Sequence, residues 1–307
     1  MSRTIKDYLL IGLKGVAMGA ADVVPGVSGG TIAFISGIYE ELLTSISNIN
    51  LSLLQTLKNK GLKEAWNQLN GNFLISLLLG IFISVVSLAK VITWLLDKHP
   101  ILLWSFFFGL VLASIIYIAK QITQWNSVAY VLLVIGAVLA YYITTLNPLV
   151  SENSSFLFLF LAGALAICAM ILPGISGSFI LVLLGAYKPI LTAVSNRNIT
   201  IVAVVGAGAV LGLLSFSRVL KWLFAHYKNY TLAVLTGFIL GSLNKIWPWK
   251  KVLTYRINSH GEQVPFNELS ISPTSYEGDS QILYAVALAA LGFGLIILLE
   301  KIAVKKQ

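Results

Sequence analysis

Apolar residues run along this chain in long blocks separated by short polar stretches. Blocks at about 72–96, 101–118 and 126–145, and again at 199–224, 229–247 and 281–300, have roughly the 18 or more residues that carry a helix across a hydrocarbon core about 30 Å thick. Two further pairs, 8–22 with 31–46 and 156–172 with 177–194, are too short to span comfortably at ~1.5 Å per residue. A Pro/Gly/Ser break joins the members of each pair. That pattern predicts a re-entrant hairpin, or two short helices meeting mid-membrane. Irregular backbone survives at that depth only where protein buries it or it lines a wet cavity. Residues 51–70 differ: leucines at 51, 54 and 57 with lysines at 58, 60 and 63 predict an amphipathic surface helix.

The two breaks share a sequence. Pro25-Gly26-Val27-Ser28-Gly29-Gly30-Thr31 recurs 148 residues later as Pro173-Gly174-Ile175-Ser176-Gly177-Ser178-Phe179. Gly15 pairs with Gly163, Gly37 with Gly185 and Tyr39 with Tyr187 in the same register. A second register, offset by 128, aligns Lys90 with Arg218, Trp94 with Trp222, Gly109 with Gly237 and Ser114 with Ser242. The difference of 20 equals the 51–70 stretch, present in the first half alone. The chain therefore reads as two repeats, 1–146 and 147–307, separated by the polar break at 147–155. Each holds a hairpin and three spans. Whether a hairpin returns or crosses twice, each half makes an odd number of crossings, so the repeats are inverted. The expected fold is an all-α polytopic membrane protein of two inverted-topology repeats.

Composition agrees with that class. Of 307 residues, 57% are hydrophobic and 11% charged, against about 25% charged in soluble domains, and the mean hydropathy is +0.86. The net charge of +9 lies mostly in loops beside spans, so anionic lipid headgroups are the expected partner and nucleic acid is not. Arg3, Lys6, Lys58, Lys60, Lys63, Lys120 and Lys228 gather on one side with the basic C-terminal residues. That bias places both termini in the cytoplasm and the polar loop 248–280 outside. Trp247-Pro248-Trp249 reads as an outer interfacial belt, and the N-terminus reads as having no removable signal peptide. One cysteine, Cys168, and three scattered histidines give no disulfide and no metal-ligand spacing. No cofactor is expected, and a homodimer is left open.

Ser28-Gly29-Gly30-Thr31 stands just before a helix, where backbone N–H groups lack partners and the dipole is positive. Glycine admits a ligand close to the backbone and the hydroxyls add donors, which suits a phosphate or carboxylate. Ser176-Gly177-Ser178 offers the same from the other side. The bland alternative is close helix packing by small residues, and two copies beside short segments weigh against it. Pro25, Gly26, Pro173 and Gly174 shape the breaks, and Tyr39 and Tyr187 are expected to pack. Lys90 and Arg218 lie inside apolar blocks, either drawing phosphate in or snorkelling to the interface. Asp22, Glu40 and Glu41 have no acidic counterparts; the aligned residues are Met170, Lys188 and Pro189. They are candidates for proton or cation coupling, with helix-end interfacial charge the stronger reading for Glu40 and Glu41. No catalytic constellation or Walker-type loop is present, so an enzyme is not expected.

The runs GAADVVPGVSGGTIAFISGIYEEL and ILPGISGSFILVLLGAYKPIL resemble the bacterial polyprenyl-phosphate transporter family, and the likeness covers most of the chain. It implies a carrier that returns undecaprenyl phosphate from the outer to the inner leaflet for envelope synthesis, with both Ser-Gly motifs meeting the phosphate. The residues alone reach an anion-binding inverted-repeat transporter. A small soluble anion carrier, a membrane enzyme on a lipid phosphate, and a packing or assembly protein are the competing readings.

Overall fold

A computed structural model describes residues 3–24, 27–146, 155–257 and 263–304. The expected break residues Pro25 and Gly26, and most of the 147–155 stretch, lie outside the described residues. Helix α1 (Ile5–Val23) leads into a short α2 (Gly29–Ile35) and α3 (Tyr39–Ser47). Two surface helices follow, α4 (Leu51–Lys60) and α5 (Leu62–Leu69), then three long ones: α6 (Gly71–Lys98), α7 (Pro100–Ala119) and α8 (Ser127–Thr145). The second half runs α9 (Phe156–Ile171), α10 (Gly177–Leu183), α11 (Tyr187–Ser195), α12 (Ile199–His226) and α13 (Lys228–Ser242). A 3-10 turn (Leu243–Ile246), an antiparallel hairpin of β1 (Lys250–Ile257) and β2 (Gln263–Ser270), and α14 (Ile282–Val304) complete it.

Three details differ from the sequence pattern. The returning arm of each hairpin is two helices rather than one. Gly37 (φ +73°) and Gly185 (φ +71°) end α2 and α10 in the left-handed conformation that glycine adopts without a Cβ penalty. Ile38 N–H then bonds the Ala33 carbonyl (3.0 Å) and Ala186 N–H the Leu181 carbonyl (2.9 Å), the 6→1 bond of a Schellman ending. The α10–α11 pair is bent by 110°. Second, Gly61 (φ +85°) splits the amphipathic stretch in two. Its leucines 51, 54, 57 and 62 are all exposed, as they must be to enter a membrane surface. Third, the polar 248–280 loop contains regular structure, the β-hairpin, so among the described residues the fold is helical with one two-stranded element.

Among the described residues four helices are long and apolar enough to cross a membrane, the first 18 residues of α6 with α7, α8 and α12, and five counting the bent pair. Helix α13 is shorter, at 15 residues, before it tightens into the 3-10 turn.

Packing recurs between the halves. Gly15 of α1 lies against the Leu77 backbone of α6, and Gly163 of α9 against Val205 of α12, partners that keep the 148 and 128 offsets. In the other layer Gly109 of α7 meets the Ala289 backbone of α14, and Gly237 of α13 meets Leu133 of α8. In each pair a small residue lets two backbones touch, the usual device where lipid removes the hydrophobic drive between helices.

Candidate functional site

The two hairpins meet at their breaks. Ser28 caps α2: its Oγ accepts from Gly30 N–H (3.1 Å) and donates to the Met170 carbonyl at the end of α9 (2.9 Å). Thr31 Oγ1 accepts from Gly174 N–H (3.0 Å) and Tyr39 donates its hydroxyl to the Ile171 carbonyl (3.1 Å). Ser28, Thr31 and Tyr39 are buried, and the Tyr39 ring packs on Phe34 and Phe224. These three bonds satisfy backbone groups that the second break would otherwise orphan at membrane depth. Gly30 is needed for the approach: a Cβ there would stand 2.6 Å from the Ile171 carbonyl oxygen.

Asp22 takes a further donor of the first motif, accepting from Gly29 N–H at 2.7 Å. A carboxylate thus occupies the helix start that sequence reasoning offers to a substrate anion. The second motif is arranged otherwise. Pro173 followed by Gly174 at φ +89° supplies the Pro-Gly pair that a type II turn requires. Ser176 Oγ pairs with Ser178 Oγ at 2.9 Å, and Ser176 makes no capping bond to α10. Ser178 is exposed. Met170 stands where Asp22 stands in the first copy, its Cβ 3.2 Å from the place of a Cβ on Gly177. Among the described residues no carboxylate is built into this copy.

The charged candidates are dispersed. Glu41 pairs with Arg3 through both oxygens (2.5 and 2.7 Å) and accepts from Asn70. Glu40 pairs with Lys228 at 2.7 Å. These ties join helix ends, as interfacial charges do. Arg218 donates to the Ile49 carbonyl (2.9 Å), and Lys221, one turn on, to Ser47 Oγ (3.1 Å). Both border a cleft of about 380 Å³ with Asn48 and Asn50, so Arg218 has company that the sequence did not reveal. Lys90 is exposed on α6 and, among the described residues, has no polar partner. Tyr187 is half-buried at the start of α11.

Sequence reasoning also missed a basic cluster beneath the β-hairpin. Lys245 Nζ sits 4.9 Å over the Phe179 ring, next in sequence to Ser178, and Lys250 Nζ 4.4 Å over Trp104. Lys250 donates to the Lys245 carbonyl at 2.8 Å and faces Glu268 at 3.5 Å. Burial lowers the Lys250 ammonium from its ordinary range to about 8, with Glu268 opposing the fall. Trp247 and Trp249 point their indole N–H groups at the Ile271 and Ser280 carbonyls. They hold the hairpin to the helices, and Trp249 is buried where a lipid-facing belt was expected. The residues that would have signalled this cluster are the lysines flanking the Trp-Pro-Trp run.

The fold and this junction define a multi-pass helical membrane protein whose polar centre is the meeting of two broken hairpins. Residues 18–264 match the family described as undecaprenyl phosphate translocase-like. A polyprenyl-phosphate transporter of Vibrio cholerae serotype O1 is 51% identical over 309 aligned residues, covering 99% of this chain and 100% of that protein. A polyprenyl-phosphate transporter of Staphylococcus aureus is 33% identical over 253 residues, 77% of this chain and 85% of that protein. No solved structure matches the chain. The chain belongs to the undecaprenyl phosphate translocase-like family, a family of transporters and not of enzymes.

Proposed function

We propose that this chain moves polyprenyl phosphate, undecaprenyl phosphate in particular, from the outer to the inner leaflet of the bacterial cytoplasmic membrane, driven by an ion or proton gradient. The difficulty to be solved is electrostatic. A phosphate monoester carries about −1.5 to −2 charges near neutral pH, and hydrocarbon charges several kcal/mol or more for such a group. A carrier must replace the lost water with fixed donors along the way.

The observation that carries this reading is the second motif. Among the described residues Ser176, Gly177 and Ser178 have no resident carboxylate and the two hydroxyls bond each other alone, and Ser178 is exposed. They are the donors available to a headgroup, while Ser28 and Thr31 are engaged in holding the hairpins together. Phosphate binding by Ser28, Gly29, Gly30 and Thr31 requires those bonds to open, with Asp22 leaving Gly29. A protonation of Asp22 that accompanies this step is our candidate for coupling. The repeated helix contacts support two inverted repeats that exchange access about this junction, with both termini cytoplasmic and Arg218 and Lys221 at the inner mouth.

The test is uptake of a labelled short-chain polyprenyl phosphate into proteoliposomes. Wild type is expected to move the lipid, and Ser176→Ala/Ser178→Ala, folded normally, to lose at least about tenfold in initial rate, the scale of one charge-assisted hydrogen bond. Wild type that moves none of the lipid under any ion gradient refutes the substrate assignment.

A further inference from the structure

The cluster beneath the β-hairpin is oddly charged for its surroundings. Two ammonium groups, Lys245 and Lys250, lie in a largely apolar and aromatic setting, and among the described residues one carboxylate, Glu268, serves both. Lys250 is held by its bonds to the Lys245 carbonyl and Glu268. Among the described residues Lys245 makes no hydrogen bond: it rests on the face of Phe179 and shares the field of Glu268 with Lys250. Buried charges are ordinarily paired, so a half-buried ammonium resting on a ring is a cation short of an anion. Its position is specific: Phe179 is in the first turn of α10, directly after Ser178. The 3-10 turn that carries Lys245 is fixed to the hairpin by Ser270 Oγ on the Asn244 carbonyl (3.1 Å). The cation is therefore presented by a rigid frame and not by a free loop.

We propose that Lys245, backed by Lys250, is a capture site for a phosphate monoester headgroup, which it passes to the Ser176–Ser178 turn. This rests on the transport reading above and gives it an entrance. An arriving phosphate supplies the charge that Glu268 does not, and Lys245 leaves the Phe179 ring for the phosphate oxygens. Departure of the cation also frees the start of α10, next to the serine pair. Lipid headgroup and free phosphate share this chemistry; the hydrocarbon chain separates them.

The experiment measures binding of farnesyl phosphate, farnesol and inorganic phosphate to the purified full-length chain in detergent. Farnesyl phosphate is expected to bind wild type and Lys245→Arg within about threefold of each other. Lys245→Met, which keeps the stem and its contact with Phe179, is expected to bind it at least about tenfold more weakly, the worth of about one charged hydrogen bond. Farnesol should not respond to either change. Competition by inorganic phosphate at similar concentration would assign the site to free phosphate, overturning the lipid headgroup as its ligand. Should Lys245→Met fail to fold, Glu268→Gln takes its place: removing the competing carboxylate is expected to tighten binding about threefold, and unchanged or weaker binding overturns the proposal. Equal affinity in Lys245→Met and wild type also overturns it, while leaving the transport reading standing. Wild type that binds neither phosphate overturns both.

Discussion

The two copies of the Pro-Gly-x-Ser-Gly motif are close in sequence and opposite in use. In the first, the named side chains are tied internally: Ser28 and Tyr39 bond the end of α9, Thr31 bonds Gly174, and Asp22 bonds Gly29. In the second, the serines bond each other and one is exposed. Three substitutions bear on the divergence, the first being Thr31 against Phe179, which leaves the second copy without that hydroxyl. Gly30 faces Ser178, because only the first copy must touch another backbone; Asp22 faces Met170, so only the first copy carries its own anion. On the proposed reading, a duplicated motif has become one lock and one seat for the headgroup.

If that division is right, the copies respond differently to the same mutation. Ser28→Ala removes a helix cap and a buried hydrogen bond to the opposite hairpin, each worth about 1 kcal/mol. It is expected to lower stability by about 2 kcal/mol in a denaturation assay in detergent. Ser176→Ala, with no cap and no backbone partner to lose, is expected to change stability by less than about 0.5 kcal/mol, as substitutions away from special features do. Equal losses at both serines would remove the distinction between lock and seat. Tyr39→Phe sharpens the same contrast at smaller size: it keeps the ring between Phe34 and Phe224 and deletes one neutral hydrogen bond. The expected cost is about 1 kcal/mol, and a melting curve unchanged from wild type would show that the Ile171 bond contributes nothing.

Much of this was legible in the chain. Four of the six expected spans, α6, α7, α8 and α12, follow from block lengths, and the broken helices at the two motifs from Gly, Pro and Ser in register, which an apolar composition cannot produce by chance. Gly37 and Gly185 were aligned, yet their meaning as helix stops depends on a backbone angle, and apolar continuity through Ile35 and Leu184 concealed it. The β-hairpin has a signal in Val252, Thr254, Tyr255 and Ile257, β-branched or aromatic residues a few positions ahead of Gly261 in the sequence. The asymmetry of the site was half visible. The missing acid at Met170 is plain in the alignment of the copies, but Asp22 as the partner of Gly29 needs the fold, because the two stand seven positions apart, one at the end of α1 and the other at the start of α2. Lys245 was hidden most completely: nothing in its neighbourhood in sequence points to Phe179, and only the reach of its side chain over that ring in the folded chain does.

The most direct test of the division between the copies is to make the second like the first. Met170→Asp puts a carboxylate beside Gly177, as Asp22 lies beside Gly29. The measurement is farnesyl phosphate affinity of the purified Met170→Asp chain against wild type, with thermal stability recorded on the same samples. The account predicts a folded protein whose affinity falls at least about tenfold, since a resident anion both takes the donors and repels the phosphate. A folded Met170→Asp chain that binds the lipid phosphate as tightly as wild type would contradict the claim that the second motif is the seat.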